Sequence, residues 1–347
     1  MSLVERIHSN DPDLTDLRLT EVPEAYTNDF QSLVDSLKDN TVIQYVRFDR
    51  DFLPALTPEE VDDLFQAVGS LKGLKEILVM HAPLRAKSVA DLIALSKDKV
   101  EHLQLGVLAL EGSDQDFHSV ADAISGHEKL KTFDLSDFSL NDQSISIDPI
   151  VVALSTAPNL EKVKLEVTYQ KRGSLVGHEK AKEKVRVEVS GSALSTLCRS
   201  QSLADLHLCR LTLNLTDLDA LADAIQTAPS LKRIALPHCL LNDYNISGIA
   251  RSIGHSTTLE SVDLSCNHIT DEGCIAIATA LKGNTSVKLL RLWGNVKISN
   301  AGFNALAEML ESNCVLERVP LMGPRGGRTS VLSQPQAQQK RTTNQAA

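Results

Sequence analysis

A six-residue pattern, apolar-x-x-apolar-x-apolar, returns along this chain at an almost fixed interval and leaves few folds open to it. It reads Leu203-x-x-Leu206-x-Leu208, Leu231-x-x-Ile234-x-Leu236, Leu259-x-x-Val262-x-Leu264 and Val287-x-x-Leu290-x-Leu292, each unit starting 28 residues after the last. The pattern also starts at Leu14, Ile43, Leu74, Val100, Leu130, Leu160 and Leu316, at spacings of 26 to 31 residues apart from a gap of 43 after Leu160. Self-similarity at this period marks a stack of supersecondary units, each touching its neighbours.

Within a unit the first segment alternates apolar and polar residues, which predicts a short strand with one face buried. The second segment changes to helical spacing. The triplets Leu218, Leu221, Ile225; Ile246, Ile249, Ile253; Cys274, Ile277, Leu281; and, one insertion later, Phe303, Leu306, Leu310 each fall on one helix face. An alanine follows the middle member every time (Ala222, Ala250, Ala278, Ala307), as packed parallel helices require. Gly273 and Gly302 mark loop-to-helix turns. Earlier triplets, Phe30, Leu33, Leu37; Val61, Leu64, Val68; and Phe117, Val120, Ile124, predict helices there too. One strand and one helix cannot bury their apolar faces alone, so the strands must pair in a parallel sheet with the helices outside. Helices are wider than strands, so the sheet should lie on a concave side.

The run Leu259-Glu-Ser-Val-Asp-Leu-Ser-Cys-Asn-His-Ile-Thr-Asp-Glu-Gly-Cys resembles the ribonuclease-inhibitor-like family of leucine-rich repeats, and Leu290-Arg-Leu-Trp-Gly-Asn295 with Ser299-Asn-Ala-Gly302 matches almost as closely. The resemblance implies an α/β leucine-rich-repeat solenoid, a horseshoe with a concave parallel sheet and convex helices, in about ten or eleven repeats. The departure lies in the ladder asparagine, present at Asn267 and Asn295 but replaced by Cys239, Leu211 or Phe138 elsewhere. Either those loops are irregular or their backbone donors find other partners.

One repeat domain is expected over residues 1–322, with an irregular insertion at about 169–191. Val163, Leu165 and Val167 and then Val185, Val187 and Val189 alternate with polar residues, so these runs could pair as a hairpin. The insertion is either a binding element or tolerated lengthening. Residues 323–347 lose their apolar content and gain Gly, Gln, Asn and Thr, which predicts a disordered polar tail.

A net charge of −10, with both signs mixed along the chain, gives no footprint for a phosphate backbone, so nucleic acid is not expected. No stretch of 18 apolar residues occurs and the first residues carry no signal-peptide pattern, so no membrane contact and a cytoplasmic location are expected. Six cysteines contain no C-x-x-C pair, and the sequons at Asn214, Asn245 and Asn284 read as chance. No nucleophile elbow, phosphate loop, zinc or calcium motif is found, so no enzyme, cofactor or metal is expected. His207 and His238 beside Cys209 and Cys239 read as structural ladder residues rather than metal ligands.

Residues between the apolar positions should face the concave surface in rows. One row reads His207, Ala235, Asp263, Arg291; its neighbours read Asp205, Arg233, Ser261, Leu289 and Cys209, Pro237, Ser265, Trp293. Candidate partner-binding residues are Trp293, Arg291, Asp263, Arg233, His207, Asp205 and Arg318. Trp293, the single tryptophan, either packs on a partner as a hot spot or covers the end of the core with Arg318 stacked over it. The expected function is an intracellular protein-protein interaction module, an adaptor that acts as a monomer on a protein partner. Two alternatives stand beside it. One is a GTPase activator resembling the Ran-activating leucine-rich-repeat proteins, against which the missing acidic C-terminal segment argues. The other is an actin binder, since Arg6-Ile-His-Ser-Asn10-Asp11-Pro12-Asp13-Leu14 looks like the start of the tropomodulin-like repeat domain, although this array is longer.

Overall fold

The computed structural model describes residues 1–20, 30–138, 146–167, 187–322 and 329–333. The chain divides into two units, Met1–Glu188 and Val189–Ala347, so the domain expected over 1–322 splits inside the insertion. Of that insertion, residues 168–186 lie outside the described residues, and with them the proposed hairpin partner Val185.

The first unit runs α1 (Leu3–His8), β1 (Asp16–Leu19), α2 (Phe30–Lys38), β2 (Tyr45–Phe48), α3 (Pro58–Ser70), β3 (Glu76–Arg85), α4 (Ala86–Ser96), β4 (His102–Glu111), α5 (Asp114–Ile124), β5 (Thr132–Phe138), α6 (Asp148–Leu154) and β6 (Lys162–Val167). Its strands pair in parallel in chain order, as successive strand-to-strand crossovers through helices require. Capping boxes start α1, α3 and α5 at Ser2, Thr57 and Ser113, satisfying the first free helix amides. Phe48 packs its ring 5.7 Å from that of Phe65 and 6.2 Å from that of Phe52, filling a layer that aliphatic side chains fill elsewhere.

The second unit runs α7 (Gly191–Cys198), β7 (Asp205–Cys209), α8 (Leu215–Thr227), β8 (Arg233–Ala235), α9 (Asp243–His255), β9 (Ser261–Asp263), α10 (Asp271–Leu281), β10 (Leu289–Arg291), α11 (Asn300–Ser312), β11 (Arg318–Met322) and β12 (Thr329–Ser333). Strands β7 to β11 are parallel, and β12 returns antiparallel on β11. The tail expected to be disordered over 323–347 therefore holds a strand at Thr329–Ser333. An unpaired strand edge offers a row of amides and carbonyls, and the Thr-Ser-Val-Leu-Ser run has the β propensity to use it.

All eleven repeat starts, Leu14 through Leu316, are buried. So are the helix triplets, except that Phe30 and Phe303 are half-buried. Ala222, Ala250 and Ala278 are buried while Ala307 is exposed, because among the described residues no helix follows α11.

The loops after the strands solve their hydrogen bonding in two ways. In the second unit the buried Asn267 amide donates to the carbonyls of Leu236 and Leu264 at 2.9 Å and of Ser265 at 3.2 Å, and its Oδ1 accepts from Leu241 N–H at 3.1 Å. Asn295 repeats this toward Leu264, Leu292 and Ile269. Cys239 takes the same rung with its thiol, which donates to Leu208 O at 3.2 Å. In the first unit, which lacks these asparagines, β3 and β4 stay paired through Leu84↔Leu110 and Arg85↔Glu111 beyond a bulge at His81, whose φ is 50°. Parallel pairing there replaces the side-chain ladder.

A second asparagine set lies at the turns leading into the strands. Asn40, Asn284 and Asn313 donate to carbonyls of the preceding repeat (Ile7, Ile253, Leu281) and accept from the amides of Ile43, Val287 and Leu316. His127 takes the equivalent place, its buried Nδ1 accepting from Leu130 N–H at 3.1 Å, and burial pushes its pKa down to about 4.

Candidate functional site

The strands of the second unit set six of the seven candidate residues on one face of its sheet, and Trp293 follows in the turn after β10. Along each strand the leucines point to the helices, so the residues between them stand on the open face. The pairing brings Asp205 opposite Arg233 and then Ser261, Leu289 and Arg318 in one row, and His207, Ala235, Asp263 and Arg291 in the next. Both rows are as the 28-residue spacing predicts.

The third row is less uniform than expected. Cys209 and Ser265 are buried and Pro237 half-buried, while Trp293 is 43 % exposed. Arg318 lies opposite Leu289, and Trp293 comes four residues after Leu289, in the turn beyond the end of β10. Both side chains are exposed.

Two of the arginines are held by an aspartate of the preceding strand. Arg233 Nε donates to Asp205 Oδ2 at 3.0 Å, and Arg291 Nη1 lies 3.9 Å from Asp263 Oδ2. Asp263 is itself fixed, since its Oδ1 accepts from Ser265 N–H at 2.9 Å. Among the described residues no acidic side chain pairs with Arg318. His207 is half-buried among its row neighbours. Partly exposed ion pairs contribute little stability but orient their guanidinium groups.

At the end of the strands the chain turns through left-handed residues in register: Arg210, His238, Cys266 and Gly294, with φ of 60°, 58°, 57° and 79°. The N–H groups of the first three donate to the carbonyls of Pro237, Ser265 and Trp293 in the next repeat, so the strained conformation is secured by a hydrogen-bonded rung. At Gly294 a Cβ would meet Cys266 Sγ at 2.7 Å and its backbone at 3.1 Å, so it is the space, rather than the angle that Arg210, His238 and Cys266 also adopt, that calls for glycine here. This places Trp293 immediately before a rigid corner.

The helix starts on the far side of these turns are joined between repeats, a feature that sequence spacing did not show. Asp243, first residue of α9, accepts from Thr270 N–H at 2.8 Å, Gly273 N–H at 3.0 Å and Thr270 Oγ1 at 2.6 Å. Asp271, first residue of α10, does the same for Ser299 N–H (2.7 Å), Gly302 N–H (2.9 Å) and Ser299 Oγ (2.6 Å). The Ser299 hydroxyl, first among these donors, holds the Asp271 carboxyl below its usual range. Gly273 and Gly302 are needed for space rather than for turning: a Cβ would lie 2.5 Å and 2.8 Å from the bonded aspartate oxygens.

Burial pushes the thiols of Cys198, Cys239 and Cys274 up to about 12, so they stay protonated. The sequon residue Asn284 is buried, with its amide bonded to three carbonyls. Among the described residues no three metal-binding side chains converge and no helix is long and apolar enough to cross a membrane.

Residues 255–278, which contain the best-formed repeat, match a family described as leucine-rich repeat. Leucine-rich repeat-containing protein 45 of Gallus gallus is 27 % identical over 119 residues, covering 34 % of this chain and 18 % of that protein. NACHT, LRR and PYD domains-containing protein 5 of Bos taurus is 25 % identical over 277 residues, covering 78 % of this chain and 23 % of that protein. The chain thus spans less than a quarter of either relative's length. Among solved structures, the yeast Rad7 and Elc1 complex aligns with a TM-score of 0.43 at 15 % identity over 88 % of this chain and 79 % of that one. The tropomodulin C-terminal domain of Caenorhabditis elegans aligns with a TM-score of 0.33 at 14 % identity, over 37 % of this chain and 80 % of that one. The fold of this chain is that of a leucine-rich-repeat solenoid, an alternation of parallel strands and helices.

Proposed function

We propose that this chain is a protein-protein interaction module that engages a protein partner through the open sheet face of its second unit, with Trp293, Arg291, Asp263, Arg233, His207, Asp205 and Arg318 in contact. The observation that carries the reading is the large aromatic Trp293, 43 % exposed in the turn after β10, on a unit whose sheet face also carries Arg233, bonded to Asp205, and Arg291, 3.9 Å from Asp263. Exposed tryptophan and oriented arginine are the side chains most enriched where partners bind. The net charge of −10 favours protein over nucleic acid as that partner, and the module acts as a monomer in the cytoplasm.

The test uses the full chain as bait in a lysate of its own source, beside a Trp293→Ala, Arg291→Ala double variant and a chain with residues 172–184 deleted. A partner held by the wild type and the deletion but lost by the double variant, at unchanged thermal midpoint, supports the site. Loss in the deletion alone moves binding to the insertion, and an unchanged partner list in both sinks the assignment. Stimulated GTP hydrolysis or actin co-sedimentation would instead favour a GTPase-activating or a tropomodulin-like role.

A further inference from the structure

The open face of the second unit is unevenly charged, and its last corner carries more cation than the rest. The last strands and the turn after β10 carry Arg291, Arg318 and Lys297, all exposed, against Asp263, which lies 3.9 Å from Arg291 and accepts from the Ser265 amide. Asp271 holds the start of α11, Glu260 is tied to Lys288 at 2.8 Å at the strand starts, Glu317 adds to the field at Lys288, and Glu272 is exposed in the first turn of α10. Val296, 73 % exposed, is a second exposed apolar side chain three residues after Trp293. A cationic, apolar corner on a chain of net charge −10 is complementary to an acidic segment and repels a basic one.

The register fixes the spacing of such a segment. Arg318 sits opposite Leu289, Arg291 is two residues further along β10, and Trp293 two more. Arg318 and Arg291 are therefore offset by about 6.6 Å along the strand direction and by one strand spacing, about 4.8 Å, across it, and Trp293 follows in the turn just beyond β10. We propose that this corner binds an extended segment of a partner protein with an acidic residue at i, another at i+2 and an apolar residue at i+4. The two carboxylates meet Arg318 and Arg291, and the apolar side chain lies on Trp293 and Val296. The proposal rests on the reading of this face as the partner-binding surface and names the chemistry of what it holds.

The experiment pans a phage-displayed library of random dodecapeptides on the immobilised full chain and measures the recovered sequences as labelled synthetic peptides by fluorescence polarisation. Variants are Arg318→Glu, which breaks no described ion pair, and Trp293→Ala, with thermal midpoints recorded for both. The expected clones carry acid-x-acid-x-apolar. Their affinity falls at least tenfold in each variant, at least tenfold when both acids become Gln or Asn, and steeply between 50 and 500 mM salt. Clones without acid enrichment, acidic clones indifferent to Arg318→Glu, or no clones at all overturn the proposal. Clones lost with Trp293→Ala but unaffected by Arg318→Glu overturn it while leaving the face a binding surface. Clones indifferent to both variants remove both readings.

Discussion

Replacing Asn267 by alanine tests how much of the second unit's stability rests on a single rung. The side chain is 4 % exposed, and two backbone groups, Leu241 N–H and Leu236 C=O, have it as their described partner. The other carbonyls it reaches are supported elsewhere: Leu264 O also accepts from Asn295, and Ser265 O from His238 N–H. Asn267→Ala therefore strands one buried donor and one buried acceptor, each costing about 1–3 kcal/mol, so about 2–6 kcal/mol in all. In a urea titration followed by circular dichroism, with a slope of about 1–3 kcal/mol per M, the midpoint should fall by about 1–2 M. Hydrogen exchange at Leu241 should accelerate. Asn267→Cys should cost less, because Cys239 holds the equivalent rung with its thiol at 3.2 Å from Leu208 O. A loss below about 1 kcal/mol for the alanine variant, or equal losses for alanine and cysteine, would refute the argument that side-chain donors replace backbone pairing in these turns.

His127 makes the first unit sensitive to mild acid. The unfolded chain takes up a proton near pH 6.5 that the folded chain refuses until about 4, so stability is full above that window and declines as pH falls through it, by up to about 3 kcal/mol. Urea midpoints at pH 7 and 4.5 should diverge for the wild type and converge for His127→Asn, which keeps an acceptor for Leu130 N–H. Gly302→Ala drives a methyl group to 2.8 Å from Asp271 Oδ1. It should lower stability by about 1–3 kcal/mol, and the double variant with Asp271→Ala should lose much less than the sum, because both remove the same bonds. Ala278→Leu overpacks a helix contact and should cost about 1–3 kcal/mol, whereas Ala307→Leu, on an uncovered face, should stay within about 0.5 kcal/mol by differential scanning calorimetry.

The parts of this fold that could be read from the sequence are those set by side-chain periodicity. Leu203, Leu231, Leu259 and Val287 mark strands because burying one face of a strand demands alternation. Ile246, Ile249 and Ile253 mark a helix because burying one stripe demands a spacing of three and four. The row alignment of the site follows from equal repeat length, so Asp205 beside Arg233 and Asp263 beside Arg291 needed no structure to be paired. What could not be read depends on polar groups whose roles are decided by the neighbouring repeat. Asn40, Asn284 and Asn313 look like loop residues, yet each is buried and bonded across a repeat boundary. Asp243 and Asp271 look like ordinary first-turn acids, yet each completes the next helix. One signal was available: an aspartate opening one helix and, 30 or 31 residues on, a glycine at the third position of the next, as Asp243 with Gly273 and Asp271 with Gly302. β12 escaped notice because its five residues are a strand by virtue of the edge they meet. Trp293 lies in the turn after β10 rather than in a strand row, and the place of Arg318 opposite Leu289 came from strand pairing rather than from composition.

The direction of the aspartate bonds also bears on how the array would come apart under load. Asp243 belongs to α9 and secures α10; Asp271 belongs to α10 and secures α11. Pulling α11 away costs only its own fastening and leaves α10 still anchored by α9. Pulling α9 away would strip α10 of its anchor at the same time. Drawn from its C-terminal end, these last repeats should therefore peel one at a time, each step leaving the remaining edge as well finished as before, so that a stretched molecule gives way in small, separate events rather than a single rupture.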